Sequence, residues 1–285
     1  MILKKKKDLL KTASENTWCP GCPNHMILEA VRRTVQSFID SKKLKREDFA
    51  ITADVGCHAK IFDYLNLSGI YGLHGRALPL AIGMKIGNPN LKVLSFMGDG
   101  AAYSEGISHL AHAFAYNANH SLIVHDNQSF SLTTGQATPT SQQNYKTKAE
   151  PLGVFDKPVN PIKFALSMNG SFIARTNARD INHMVEVFRK AINHNGFSFV
   201  EVIQDCIIFN LEENNKDPRM YKIRDNFSLE KAHRLAEEYD YNSKKGKIPL
   251  GVLYKSLDTA LEDKWPQLRF LKKKKINWQK KPKSF

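Results

Sequence analysis

At 285 residues and 42% hydrophobic composition, the chain can bury a full core as one large domain or two small ones. No stretch approaches the ~20 uninterrupted apolar residues of a membrane span, and the opening MILKKKKDLLK lacks the apolar run of a secretory signal. This excludes a membrane protein and leads us to expect a cytoplasmic one. The net charge of +14 invites a nucleic-acid reading, yet much of the excess sits in runs at the two ends, Lys4 to Lys7, Lys272 to Lys275, Lys280 and Lys281. Such runs read first as solvated tails and second as a docking surface for an acidic protein, so no nucleic-acid partner is expected.

After the segment CPGCP, Met26, Ile27, Ala30, Val31, Val35 and Phe38 recur at helical spacing and predict a helix over 24–39. Residues 50–55 read as a short buried strand ending in Gly56-Cys57, and 92–97 as a second strand ending in Gly98-Asp99-Gly100. A helical segment over 105–118 leads to a third strand, 121–125, closed by Asp126-Asn127. Further on, helices are expected at 161–168 and 180–194, alternating with strands at 171–174 and 198–203. This alternation predicts a doubly wound, mostly parallel α/β sheet with helices on both faces. Beyond it, 229–238 and 250–261 read as helical with no further clear strand, giving a helical C-terminal extension. The expected division is a basic N-terminal segment (1–16), a main domain (17–210) and a C-terminal extension with a basic tail (211–285). No internal repeat is visible.

Mg²⁺ takes hard oxygen ligands and usually shares them with substrate phosphates, which suits Asp99 and Asn127 at two predicted strand ends. Gly98 and Gly100 let backbone approach a phosphate closely, and a helix start after Gly100 favours an anion. A lone GDG is usually an ordinary turn. Here it is followed 28 residues after Asp99 by Asn127, within DNQSFSLTTGQ, and the two halves together resemble the thiamine-diphosphate motif. That resemblance implies that Asp99 and Asn127 hold the metal, that the backbone carbonyl of Ser129 is its third protein ligand, and that Leu132 lies near the reacting thiazolium.

Four cysteines, Cys19, Cys22, Cys57 and Cys206, are too few for a disulfide scaffold in a chain this long. Cys19 and Cys22 alone would also suit a zinc knuckle or a redox pair, but a zinc ribbon usually has a second close pair, and Cys57 and Cys206 are solitary. The segments TWCPGCPNHMIL, DVGCHAK, YGLHGRALPLAIGMKIGNPNLKVLSFMGDG, DNQSFSLTTGQATPTS and EVIQDCIIFN resemble, in order over most of 17–210, the β subunit of 2-oxoacid:ferredoxin oxidoreductases.

The resemblance implies the thiamine-diphosphate-binding fold and a 4Fe-4S cluster on Cys19, Cys22, Cys57 and Cys206. It implies CoA-dependent oxidative decarboxylation of a 2-oxoacid such as pyruvate to acyl-CoA and CO₂, with ferredoxin reduced. It places His74 and Arg76 of GLHGRA at the diphosphate end of the cofactor and gives Lys60 a substrate or coenzyme A contact. A separate α subunit is expected to bring the pyrimidine-binding half, leaving this chain inactive alone. Pro23, Ala101 and Thr134 depart from the family's CPGCG, GDGD and TGGQ and put loop geometry in question. His109 and His112 are expected to be ordinary helix residues. Two rivals remain: a non-redox thiamine-dependent decarboxylase or synthase subunit, which has no use for the cysteines, and a basic zinc-containing nucleic-acid-binding protein, which leaves GDG and Asn127 unexplained.

Overall fold

The computed structural model describes residues 9–211, 217–242 and 245–275. The basic runs Lys4 to Lys7 and Lys280–Lys281 lie outside the described residues. In chain order the elements are α1 (Asn24–Asp40), β1 (Phe49–Ala53), α2 (Ile61–Tyr64), β2 (Ser68–Tyr71), α3 (Ala77–Gly87), β3 (Lys92–Gly98), α4 (Asp99–Tyr103), α5 (Ile107–Tyr116), β4 (Ser121–Asp126) and α6 (Pro161–Ser167). They continue through β5 (Phe172–Asn177), α7 (Ile181–Asn193), β6 (Ser198–Ile203), β7 (Met220–Lys222), α8 (Leu229–Glu237), β8 (Ile248–Lys255), α9 (Leu261–Lys264) and α10 (Pro266–Lys274).

The strands form one eight-stranded sheet in the order β2-β1-β3-β4-β6-β5-β8-β7. Every pairing is parallel except that of β8 against β5. Strands β1, β4, β5 and β6 are buried along their whole length, the expected state of a parallel strand covered on both faces. One face packs Ile27, Val31 and Val35 of α1 with Met184, Val187 and Phe188 of α7. The other packs Leu78, Leu110, Phe114, Ile162, Leu166 and Leu235 from α3, α5, α6 and α8. Each such side chain contributes roughly 1.5–3 kcal/mol by leaving water. Side-chain caps on Asn160, Asp180 and Ser228 fix where α6, α7 and α8 begin, by accepting from the amides of Lys163, His183 and Lys231.

From β1 the chain moves outward to β2 at the sheet edge, then returns to β3 on the other side of β1 and continues to β4. That reversal opens a crevice between the C-terminal ends of β1 and β3, where doubly wound sheets place their ligands. The doubly wound architecture expected from sequence is therefore present, and its extension carries helices α8, α9 and α10. The helix expected over 250–261 is corrected: Ile248–Lys255 is a strand, joined to β5 with an irregularity at Ile173/Ala174. The run IPLGVLYK is apolar on both faces, so it carries neither a two-residue nor a 3.6-residue period to separate strand from helix. Among the described residues, no helix is long and apolar enough to cross a membrane.

Candidate active site

The loop leaving β1 carries Asp54, Cys57 and His58. Asp54 is wholly buried; its carboxylate binds Nε2 of His58 and accepts the Gly75 amide at 3.1 Å. The imidazole lies over the first glycine of GDG, where an added Cβ would come 2.9 Å from His58 Nδ1. At Gly100 a Cβ would come 2.2 Å from the Phe130 ring. Only glycine at these two positions keeps both rings in place and the backbone exposed to a ligand.

Helix α4 begins at Asp99 itself, two residues earlier than expected, and spans five residues. The Asp99 carboxylate is buried, and burial pushes it up to about 6, opposed by hydrogen bonds from Thr138, Thr140 and nearby amides. Thr140 Oγ1 lies 2.9 Å from Asp99 Oδ2 and 3.1 Å from Asp126 Oδ1. A single hydroxyl proton serves one of these contacts at a time. Burial, with Asp99 and Glu201 nearby, pushes Asp126 well above the usual carboxylate range.

After β4 the chain turns sharply. Asn127 Oδ1 accepts the Ser129 amide at 3.0 Å, with Gln128 between them at φ 55°, and Asn210 Nδ2 donates to the Asn127 carbonyl at 3.0 Å. Ser129 Oγ is buried without a hydrogen-bond partner. Immediately before the turn, His125 Nδ1 bonds Asn24 Oδ1 at 2.8 Å, while its Nε2 is buried and unpartnered. Burial, aided by His58, holds His125 well below the ordinary imidazole range.

These elements line one open cleft of about 560 Å³, counting solvent at its mouth. It gathers Cys57, His74, Gly98, Asp99, Gly100, Asn127, Ser129 and Leu132 from the residues singled out in the sequence. Arg76 is not part of the lining: its guanidinium donates to the carbonyls of Glu105 (2.8 Å) and His74 (3.2 Å), tying the GLHGR loop to the turn before α5. Lys60 is also outside the lining, with Nζ 3.4 Å from the Thr17 carbonyl and its charge acting on Cys57. His112 is exposed and stacks on Tyr116, as an ordinary helix residue does.

The four cysteines are free thiols close enough to act on one another, and Cys57 among them lines this cleft. Burial raises Cys22 to about 11, and Cys57, Cys206 and Cys19 each add to that rise; burial likewise raises Cys57, with Lys60 opposing and Cys206 and Cys19 adding. Trp18 Nε1 donates to the Cys57 carbonyl at 2.6 Å, and Gly21 abuts Ile207, so the CPGC loop is docked on the other two cysteine loops. Among the described residues no three His, Cys, Asp or Glu side chains stand in ready-made metal-holding geometry. The thiols are collected without being closed into a shell.

Asp54, His58, His125, Phe130 and Thr140 were missed from sequence. His58 and Thr140 lie inside the segments DVGCHAK and ATPTS that carried the resemblance. Asp54 and His125 sit at strand ends, where a polar residue closing an apolar run is the available signal.

Residues 54–202 match the family model described as the thiamine pyrophosphate enzyme, C-terminal TPP binding domain. The chain is 35% identical over 255 residues to the 2-oxoacid:ferredoxin oxidoreductase subunit beta of Saccharolobus solfataricus, covering 85% of this chain and 82% of that one. It is 33% identical over 234 residues to the 2-oxoglutarate synthase subunit KorB of Archaeoglobus fulgidus, covering 78% and 84%. Among solved structures, it is similar to the 2-oxoglutarate:ferredoxin oxidoreductase from Magnetococcus marinus with 2-oxoglutarate, coenzyme A and succinyl-CoA bound. That likeness has a TM-score of 0.86 and 28% identity, covering 94% of this chain and 91% of that one.

Proposed function

The chain belongs to the β subunits of the 2-oxoacid:ferredoxin oxidoreductases, and from that premise we propose that it binds thiamine diphosphate, Mg²⁺ and a 4Fe-4S cluster for CoA-dependent oxidative decarboxylation of a 2-oxoacid. One observation carries the reading: Asp99 and Asn127, at the C-terminal ends of β3 and β4, line the same cleft as Cys57 after β1, and Cys22 and Cys57 lie within electrostatic reach of Cys19 and Cys206. The residues fit the groups. Two glycines leave space that a Cβ would fill, Ser129 and His125 present unpartnered buried polar atoms, and Cys₄ is the usual ligand set of a cubane cluster.

Bound thiamine diphosphate supplies the carbon nucleophile that attacks the keto group. Asp99, Asn127 and the Ser129 carbonyl hold the cation, and Gly98 and Gly100 admit the phosphates. His74 lines the diphosphate side of the cleft, while Arg76 acts by bracing that loop. Leu132, about half exposed, gives the reacting end an apolar wall. Cys19, Cys22, Cys57 and Cys206 hold the cluster, and Lys60 adds positive charge beside Cys57, where a substrate or coenzyme A anion would also meet it. The α subunit covers the open cleft, with Leu73 (77% exposed) and Leu132 (47%) among the apolar side chains awaiting it. Ferredoxin is the acceptor. Free thiols on all four cysteines agree with a cytoplasmic, reducing compartment.

Anaerobic purification with the α subunit tests the reading. The expected complex is brown with close to four irons per β chain. Asp99→Ala and Asn127→Ala should lose thiamine diphosphate binding by calorimetry yet keep their iron. Zinc without iron, or a colourless active enzyme, would overturn the cluster and favour one of the two rivals.

A further inference from the structure

We propose that the ThrProThrSer turn, residues 138–141, presets the cation site, with Thr140 a positioning residue that holds the Asp99 carboxylate and Ser141 one that holds the loop of Asn127 and Ser129. The inference rests on Asp99 and Asn127 being the cation's ligands, and deepens that reading.

The two halves of the site lie 28 residues apart in sequence and on different strands, and Mg²⁺ tolerates little error in ligand placement. One short turn touches both. Thr140 Oγ1 meets Asp99 Oδ2 at 2.9 Å, which fixes the plane of that carboxylate, and Thr138 bonds the same group. Ser141 Oγ donates to the Gln128 carbonyl at 2.7 Å, between Asn127 and Ser129, and accepts the Thr138 amide at 2.8 Å. Thr138, Thr140 and Ser141 are 6%, 0% and 2% exposed, so water does not substitute for these hydroxyls. Pro139 between the threonines restricts the turn's backbone. Partners of this kind, one step behind the ligands, set metal affinity nearly as strongly as the ligands do.

The test measures thiamine diphosphate binding by calorimetry across a Mg²⁺ titration, on the full chain in complex with its α subunit. T140V removes the hydroxyl at nearly constant shape and should raise the Mg²⁺ requirement about 10- to 100-fold. T140S should restore it, and S141A should shift it in the same direction as T140V. A Mg²⁺ requirement unchanged in T140V, while D99A loses thiamine diphosphate binding, would overturn this inference and leave the parent reading intact. An unchanged requirement in D99A would instead sink the parent reading. Should T140V fail to fold, S141A decides: an unshifted Mg²⁺ titration there overturns the proposal. Equal losses in T140S and T140V would also overturn it, because the methyl packing, not the hydroxyl, would be responsible.

Discussion

At the N-terminal ends of the strands, Lys85 donates to the carbonyls of Pro89 and Leu91 at 2.6 and 2.8 Å and pairs with Glu262 at 3.3 Å. Glu262 takes the Asn119 amide on both carboxylate oxygens, and Ser171 joins Asn117 and His194 at 2.7 and 2.8 Å. At the C-terminal ends, Asp99 and Glu201 both push the Asp126 carboxyl toward its protonated form, while His125 Nε2 and Ser129 Oγ meet no partner. Both ends bury polar groups, and only the first end largely completes its hydrogen bonding within the chain. His120 Nε2 and Asn90 Nδ2 are the exceptions there. A buried polar group left open is costly in the free protein, and its persistence at one end marks where something outside the chain completes the set.

The largest effect is expected from breaking the closed end. Lys85→Met leaves Glu262 charged and buried and strips partners from two carbonyls, for an expected loss of about 3–5 kcal/mol in urea unfolding. Adding Glu262→Gln removes the stranded charge while keeping an acceptor for Asn119, and should recover more than half of that loss. If the double variant were as unstable as the single one, the pair would not be a self-contained unit, and the contrast between the ends would lose its basis.

The same contrast explains what was legible in sequence. Lys92 to Met97 and Ser121 to His125 announced their strands because both faces are covered and each is built on a short apolar run, Val93, Leu94, Phe96 and Met97 in one and Leu122 to Val124 in the other. Asp99 and Asn127 were legible because a cation site needs a particular residue type at a particular spacing. The closed end was not: Lys85 and Glu262 are far apart in sequence, and each alone looks like a surface charge on a helix. Strand β2 was missed because it is a short exposed edge, and β8 because an apolar run without a period does not distinguish strand from helix. His58 and His125 were missed because their roles depend on Asp54 and Asn24, which only the fold brings to them.

Acid provides a milder probe of the closed end. Burial pushes His194 from an ordinary 6.5 down to about 4. Between those values the unfolded chain binds the proton and the folded chain does not, so stability is present above pH 6.5 and is lost as pH falls toward 4. The slope from this group is at most about 1.4 kcal/mol per pH unit. His194→Gln, which keeps a hydrogen-bonding partner for Ser171, should flatten the measured stability–pH curve in that window. An unchanged slope would assign the acid sensitivity to other groups.

A smaller effect is expected in the loop over the open end. Thr134 sits at φ 80°, a left-handed conformation that a β-branched side chain adopts only under strain. Thr134→Gly should therefore raise stability by about 1 kcal/mol despite glycine's greater freedom when unfolded. A loss instead would mean that contacts of the Thr134 side chain outweigh the strain.

The smallest effect is expected at Ser129, where the open end can be dissected atom by atom. The side-chain oxygen is buried without a partner, whereas the backbone carbonyl accepts the Ser131 amide at 2.9 Å and is the proposed cation ligand. The carbonyl also accepts the Ser131 hydroxyl at 3.3 Å, a long contact that rotation of the hydroxyl releases, so the amide bond and the cation share its two lone pairs. Ser129→Ala removes only the unpartnered hydroxyl and keeps the carbonyl. Stability in the metal-free protein should change by no more than about 0.5 kcal/mol, and toward greater stability, because an unsatisfied buried group is lost. Thiamine diphosphate affinity at saturating Mg²⁺ should remain at the wild-type value. A marked drop in affinity with stability unchanged would show that the hydroxyl itself is one of the groups completed from outside, moving the ligand role at this position from backbone to side chain.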